Sequence, residues 1–190
     1  DEIDCGVAPE GTIQPFAGTG TAGNSGDGAA ASAAQLNAPR AVIQSGTSFL
    51  IADTGNNRVR RVALSGVISA YAGTGTAAYS GNGVAATTAQ LNAPSGLSVT
   101  SDGTVLVADT ANHRIRRVTV YGVIWNVAGN GTAGNSGYGG GPQIVPLNSP
   151  EAVTSGPNGF IGIADTANSR VRAIGNTVPF ATTTTTTTTT

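Results

Sequence analysis

Three aspartates mark where this chain could do chemistry. Asp53, Asp109 and Asp165 are each followed five residues later by an arginine, Arg58, Arg114 and Arg170. A carboxylate and a guanidinium so placed can hold an anion or a polar ligand between them. They can equally clamp a turn, the carboxylate accepting local amides and an arginine neighbour. All three lie in near-copies of one decapeptide: 52–61, 108–117 (Ala-Asp-Thr-Ala-Asn-His-Arg-Ile-Arg-Arg) and 164–173. A feature present in every copy serves the copy, so the turn clamp is the reading taken here. A specific site would be sought among residues that differ between copies.

Those residues are Arg40, Tyr79, His113, Trp125, Tyr138 and Glu151. His113 is the only histidine, and a catalytic base would need an orienting acid and a nucleophile beside it. It reads as a turn residue standing where Asn57 and Ser169 stand in the other copies. Trp125, replacing Ser69, is the candidate contact anchor. The loop triplet Asp27, Asn82 and Tyr138 degrades an oxygen ligand to an amide and then a phenol, whereas calcium needs six to eight oxygens. No catalytic residue, metal or cofactor is expected. Asn130-Gly131-Thr132 is an N-glycosylation acceptor sequence in a loop.

The spacing of the aspartates is 56 residues both times, and a fixed period of that size points to a propeller, a solenoid or another array. Each unit reads as four strands. A Leu-Asn-x-Pro start at Leu36, Leu91 and Leu147 precedes the first, where proline suits a strand's opening. Turns at Ser45-Gly46, Asp102-Gly103 and Pro157-Asn158-Gly159 lead to the second. Segments 49–52, 104–108 and 160–164 are almost continuously apolar, so both of their faces should be covered. The Asp-Thr-x-Asn turn opens the third strand, and Gly66 or Gly122 the fourth. Loops of small residues, beginning at Thr21, Thr76 and Thr132, connect one sheet to the next. The boundaries expected are a leader (1–10), a spare outer strand (11–20), three units with their loops (21–75, 76–131 and 132–181) and a threonine tail (182–190).

The pattern Asp-Thr-x-Asn-x-Arg-Ile-Arg, with Ser-Gly-Asp-Gly ahead of Leu-x-x-Pro, resembles NHL repeats, the blades of a six-bladed propeller family. It is most similar to the long-loop type of secreted bacterial proteins and cell-surface adhesion receptors. The resemblance covers residues 11 to about 180 and implies an all-β fold of four-stranded blades. Some members of that family are lyases with a histidine-bound metal, which one histidine cannot supply. Others read RNA through basic faces; here the nine cations are all arginine, in clusters one per unit, and the net charge is −1. Nucleic acid is therefore not an expected partner, and no activity is expected. No run approaches the ~20 apolar residues of a membrane span. The lone Cys5 leaves no internal disulfide, and a chain opening at Asp1 without methionine reads as a processed protein or a fragment. These features fit an extracellular or cell-surface location.

Propellers close with about 4 to 8 blades, so three units leave strand edges and an apolar face at each end. Such ends invite copies of the same chain, as a two-copy ring or as a head-to-tail filament. Residues 11–20 could complete a neighbour's sheet by strand addition. The run Thr182, Thr183, Thr184, Thr185, Thr186, Thr187, Thr188, Thr189 and Thr190 supplies candidate glycosylation sites, as in hydroxyl-rich secreted stalks, making glycans further candidate partners. Taken together, the sequence predicts a self-assembling structural subunit. A protein- or glycan-binding adhesion module from a closed six-bladed propeller is the first alternative, and a lyase of the NHL type, which rests on the resemblance alone, is the second.

Overall fold

The computed structural model describes residues 11, 13–137 and 139–175. The leader with Cys5, Tyr138, the end of unit 3 at 176–181 and the threonine tail lie outside them. The described fold is all-β, with twelve strands in three antiparallel sheets. Unit 1 is β1 (Ala41–Ser45), β2 (Ser48–Asp53), β3 (Arg58–Val62) and β4 (Ile68–Ala72), each paired to the next. A two-residue strand, β5 (Val84–Ala85), comes ahead of unit 2, which is β6 (Pro94–Val99), β7 (Val105–Asp109), β8 (Arg114–Val118) and β9 (Val123–Ala128). Unit 3 shows β10 (Pro150–Ser155), β11 (Ile161–Asp165) and β12 (Arg170–Ile174).

The second strand of each unit is apolar because it sits inside a stack. Every residue of β7 is buried, one face turned to unit 1 and the other to unit 3. Leu50, Ala52, Val59 and Ala72 of unit 1 form one cluster with Leu97, Val105, Val107, Val118 and Ile124 of unit 2. Leu106, Ala108, Ile115 and Ala128, the equivalent residues of unit 2, pack in turn on Val153 and Ile163 of unit 3. Each aliphatic side chain so buried contributes roughly 1.5–3 kcal/mol relative to exposure. The repeat thus stabilises itself through its neighbours, as stacked units do.

First strands lie innermost, with β6 against both β1 and β10. The approach is closest at Gly96, where a Cβ would stand 2.6 Å from the Glu151 carbonyl oxygen and 2.8 Å from Ala152 Cα. Units 1 and 3 carry alanine at this place, Ala41 and Ala152. Replacing Gly96 by alanine must push β6 and β10 apart, and the expected cost is about 1–3 kcal/mol. Chemical denaturation of Gly96→Ala beside the wild type measures it.

Two expectations change here. Residues 13–20 form no strand. Gly18 and Thr19 instead donate their amides to the Ala31 and Ala34 carbonyls, as Gly73 and Thr74 do to Ala86 and Ala89. The connecting loops do more than connect. Val84 and Ala85 pair with Ile124 and Val123 of β9, and Ala29 and Ala31 bond along β4 at Ile68 and Gly66. The loops of units 1 and 2 each cover the outer edge of the unit they lead into, which removes an exposed ladder of unpaired amides.

Candidate functional site

Each aspartate stands at the end of a second strand, followed by a single 3-10 turn that closes on a left-handed residue, Asn57, His113 or Ser169 (φ 54°, 52° and 53°). Its carboxylate is fully buried in all three units. Asp53 Oδ1 accepts the Asn37 amide at 2.7 Å and Oδ2 the Asn56 Nδ2 at 2.8 Å. Asp109 does the same with Asn92 and Asn112, and Asp165 with Asn148 and Asn168. The asparagine's amide also donates to the loop, at Gly23, Ala78 or Gly134. One carboxylate therefore fixes the strand start, the turn and the loop together.

The ion-pair partner is not the arginine expected. Arg58, Arg114 and Arg170 face the aspartates in backbone register, but the side chains that reach the carboxylates belong to Arg60, Arg116 and Arg172, at 3.8, 3.6 and 3.0 Å. The two arginines of each Arg-x-Arg lie on one face of the third strand, and in units 1 and 2 a bulge falls just before the second of them, after Val59 and after Ile115, in the pairing with the fourth strand. Arg58 instead donates to the Thr74 carbonyl and Arg114 to those of Gly129 and Asn130. The second arginine of Arg-x-Arg, repeated in every copy, was the signal available in the sequence.

The middle unit is the most enclosed, and burial raises the Asp109 carboxyl from its ordinary value near 3.8 to about 6 against the opposing pull of Asn112, the Asn92 amide and Arg116. Burial likewise lowers Arg116, opposed by Asp109. In unit 1 Asp27 takes Arg60 at 2.8 Å and Arg58 at 3.4 Å. In unit 2 Asn82 accepts the Asn126 amide, and both arginines lie over the Tyr79 ring, 4.0 and 4.8 Å from its centre. The loop position is thus a support for arginines whose chemistry varies by unit. No group of three His, Cys, Asp or Glu able to hold a metal occurs among the described residues.

His113 Nδ1 accepts the Ser149 amide of unit 3 at 3.0 Å, the bond that Asn57 Oδ1 makes to Ala93 of unit 2 at 2.9 Å. It is an inter-unit clamp in a left-handed turn, where asparagine is among the best tolerated residues. Replacing His113 by asparagine should leave stability within about 0.5 kcal/mol, and His113→Ala should lose about 1 kcal/mol for the hydrogen bond. Thermal melts of the two variants read the difference. Trp125 lies on β9 opposite Arg117, 42% exposed, with its ring against Gly83 of its own unit's loop. Asn130, exposed, accepts the Thr132 amide and donates to the Ile144 carbonyl, a turn that Thr19 and Thr74 make in the other loops. Arg40 and Glu151, two more of the variable positions, pair at 3.6 Å across the inner strands of units 1 and 3.

The remaining variable features are at the two ends. Leu97 and Val105 of unit 2 are 8% and 0% exposed, whereas their counterparts in unit 1, Val42 and Phe49, are 60% and 37%. Val59 and Ile115 are fully buried, whereas Val171 is 83% exposed. Phe16 shields part of the first face, edge-on to Phe49 at 5.0 Å. On the other face a groove of about 910 Å³ runs along β12, lined by Leu147, Ile163 and Val171 among others.

Residues 91–118, from the loop's end through β8, match the family model of the NHL repeat. Unit 2 thus carries an NHL repeat, and units 1 and 3 repeat its Asp-Thr-x-Asn-x-Arg pattern. A Bacteroides thetaiotaomicron protein of unknown function superposes with a TM-score of 0.64 at 21% identity, over 71% of this chain and 34% of its own. An auxiliary nutrient binding protein from the same organism gives 0.57 at 24%, over 72% and 36%. At these identities they show the fold alone, and that fold is the β-propeller. Mouse teneurin-1 is 38% identical over 44% of this chain and 4% of its own length. The chain thus spans about a third of those solved chains and a small part of teneurin-1. The NHL match of unit 2 places the clamp within the blade: its Asp-Thr-x-Asn turn lies inside residues 91–118.

Proposed function

We propose that this chain is a non-enzymatic structural subunit, extracellular or at a cell surface, that assembles with copies of itself through its end blades into a filament. The observation that carries this reading is the contrast between the ends and the internal junctions: Val42 and Val171 expose what Leu97, Val59 and Ile115 bury. Apolar residues so left open favour association. The non-enzymatic reading is supported by the fate of the polar groups, since the buried aspartates are spent on the chain's own amides and the His113 Nδ1 lone pair on Ser149. The location is supported by the resemblance to long-loop secreted and cell-surface repeats. None of the described residues forms a helix long and apolar enough to cross a membrane. Within this reading Thr182–Thr190 and Asn130 carry glycans that coat the assembly.

Electron microscopy of the untagged protein tests the proposal, with intact-mass spectrometry of the same sample for sugars on the tail. Long fibres are the expected result; isolated six-bladed rings or single particles would overturn the filament. A second reading, a binding module, is favoured by Trp125 with the neighbouring half-exposed Val84 on the outer edge of unit 2. Here Trp125→Ala should lose partner binding, and full retention would remove that residue from it.

A further inference from the structure

The assembly reading leaves open how one copy meets the next, and the two junctions inside the chain supply a template. At the first, Thr54 Oγ1 donates to the Pro94 carbonyl at 2.7 Å and Asn57 Oδ1 accepts the Ala93 amide. At the second, Thr110 Oγ1 donates to the Pro150 carbonyl at 2.8 Å and His113 Nδ1 accepts the Ser149 amide. Each junction is therefore one outgoing Thr-x-x-(Asn/His) turn seated on one incoming (Ala/Ser)-Pro step. The incoming residue is held left-handed in advance: Ala93 and Ser149 have φ of 49° and 47°.

Both halves recur at the two ends of the stack, where no further unit lies against them among the described residues. Unit 3 presents Thr166 and Ser169, both exposed, and the Thr166 hydroxyl bonds to the Ala164 carbonyl two residues back. Unit 1 presents Ala38 and Pro39, both exposed where Pro94 and Pro150 are buried, with Ala38 already at φ 46°. The apolar surfaces are matched in size as well as position. The incoming face carries Phe49 in place of Val105, and the outgoing face carries Gly162 in place of Leu50 and Leu106. A larger knob on one end thus answers a missing side chain on the other.

We infer that a second copy of this chain docks head to tail, its Ala38-Pro39 step and Val42/Phe49 face seated on Thr166, Ser169 and the Gly162/Val171 face of the first. The contact is heterologous: like ends do not bind like ends. This inference rests on the assembly reading above, but it concerns the junction and not how far the assembly grows.

The test uses the full chain under reducing conditions, which removes any Cys5 bridge, with mass measured over a concentration series. Val42→Arg spoils the incoming face alone and Val171→Arg the outgoing face alone; both positions are largely exposed within the chain, and circular dichroism confirms the fold of each. Each variant alone should be monomeric, its association weakened about 30-fold or more. Mixed in equal amounts they should form one-to-one dimers, because each supplies the face the other lacks. A wild type that is monomeric throughout, a single variant that associates as the wild type does, or a mixture that stays monomeric would overturn the inference. A wild type that stops at two copies, with the mixing result intact, upholds this junction and sinks the filament.

Discussion

Replacing Asp109 by alanine should cost about 3–5 kcal/mol, because it leaves Arg116 as a buried charge without its partner. Arg116 is fully buried, and the Asn92 amide and the Asn112 side chain lose their acceptor in the same step. For a chain of this size the melting temperature should fall by roughly 10 °C. The pH dependence then separates this carboxylate from an ordinary ion-paired one. The folded value, about 6, lies above the ordinary 3.8, so folding favours the protonated form. Its contribution is fully present below the unfolded value and is lost as pH rises through about 6. The gap between the wild type and Asp109→Ala should therefore widen as pH falls from 7 to 4, by up to about 3 kcal/mol. Urea denaturation at both pH values reads this, and a gap that narrows on acidification would show that pairing, not burial, governs Asp109.

The decapeptide repeat was legible because every copy must satisfy the same donors. Asp53, Asp109 and Asp165 each face a strand-start amide and an asparagine, so neither residue can vary without stranding a buried group. Blade type, strand order and the inner position of the second strand follow from that and from the apolar runs at 49–52 and 104–108. Which arginine reaches the carboxylate was only half legible: the second arginine of Arg-x-Arg recurs in every copy and shares the first one's face of the strand, and the choice between them is made by the packing of their side chains. The loop's second role was not legible. Val84-Ala85 has two residues of strand character amid glycine and alanine, and only the free edge of β9 turns it into a fifth strand. His113 was recognisable as a turn residue from its place in the repeat, yet its bond to Ser149 spans 36 positions and joins two units.

The same logic of shared support predicts the second large effect, at Arg60. Its side chain is fully buried, donates to the Gln35 and Ser25 carbonyls and to Asp27 at 2.8 Å, and is ion-paired with Asp53 at 3.8 Å. Arg60→Ala strands Asp53 in the interior, again about 3–5 kcal/mol. It also unties the loop whose Ala29 and Ala31 cover β4. Proteolysis should therefore cut first within residues 21–35, and the uncovered edge of β4 should make the variant aggregate. Arg116→Ala is the control. The loop of unit 2 keeps a second side-chain anchor, Asn82 to the Asn126 amide at 2.8 Å. It should lose similar stability while its loop stays resistant to the protease. Equal cleavage of the two loops would mean that the arginines hold the blades alone and that the loops cover their edges independently.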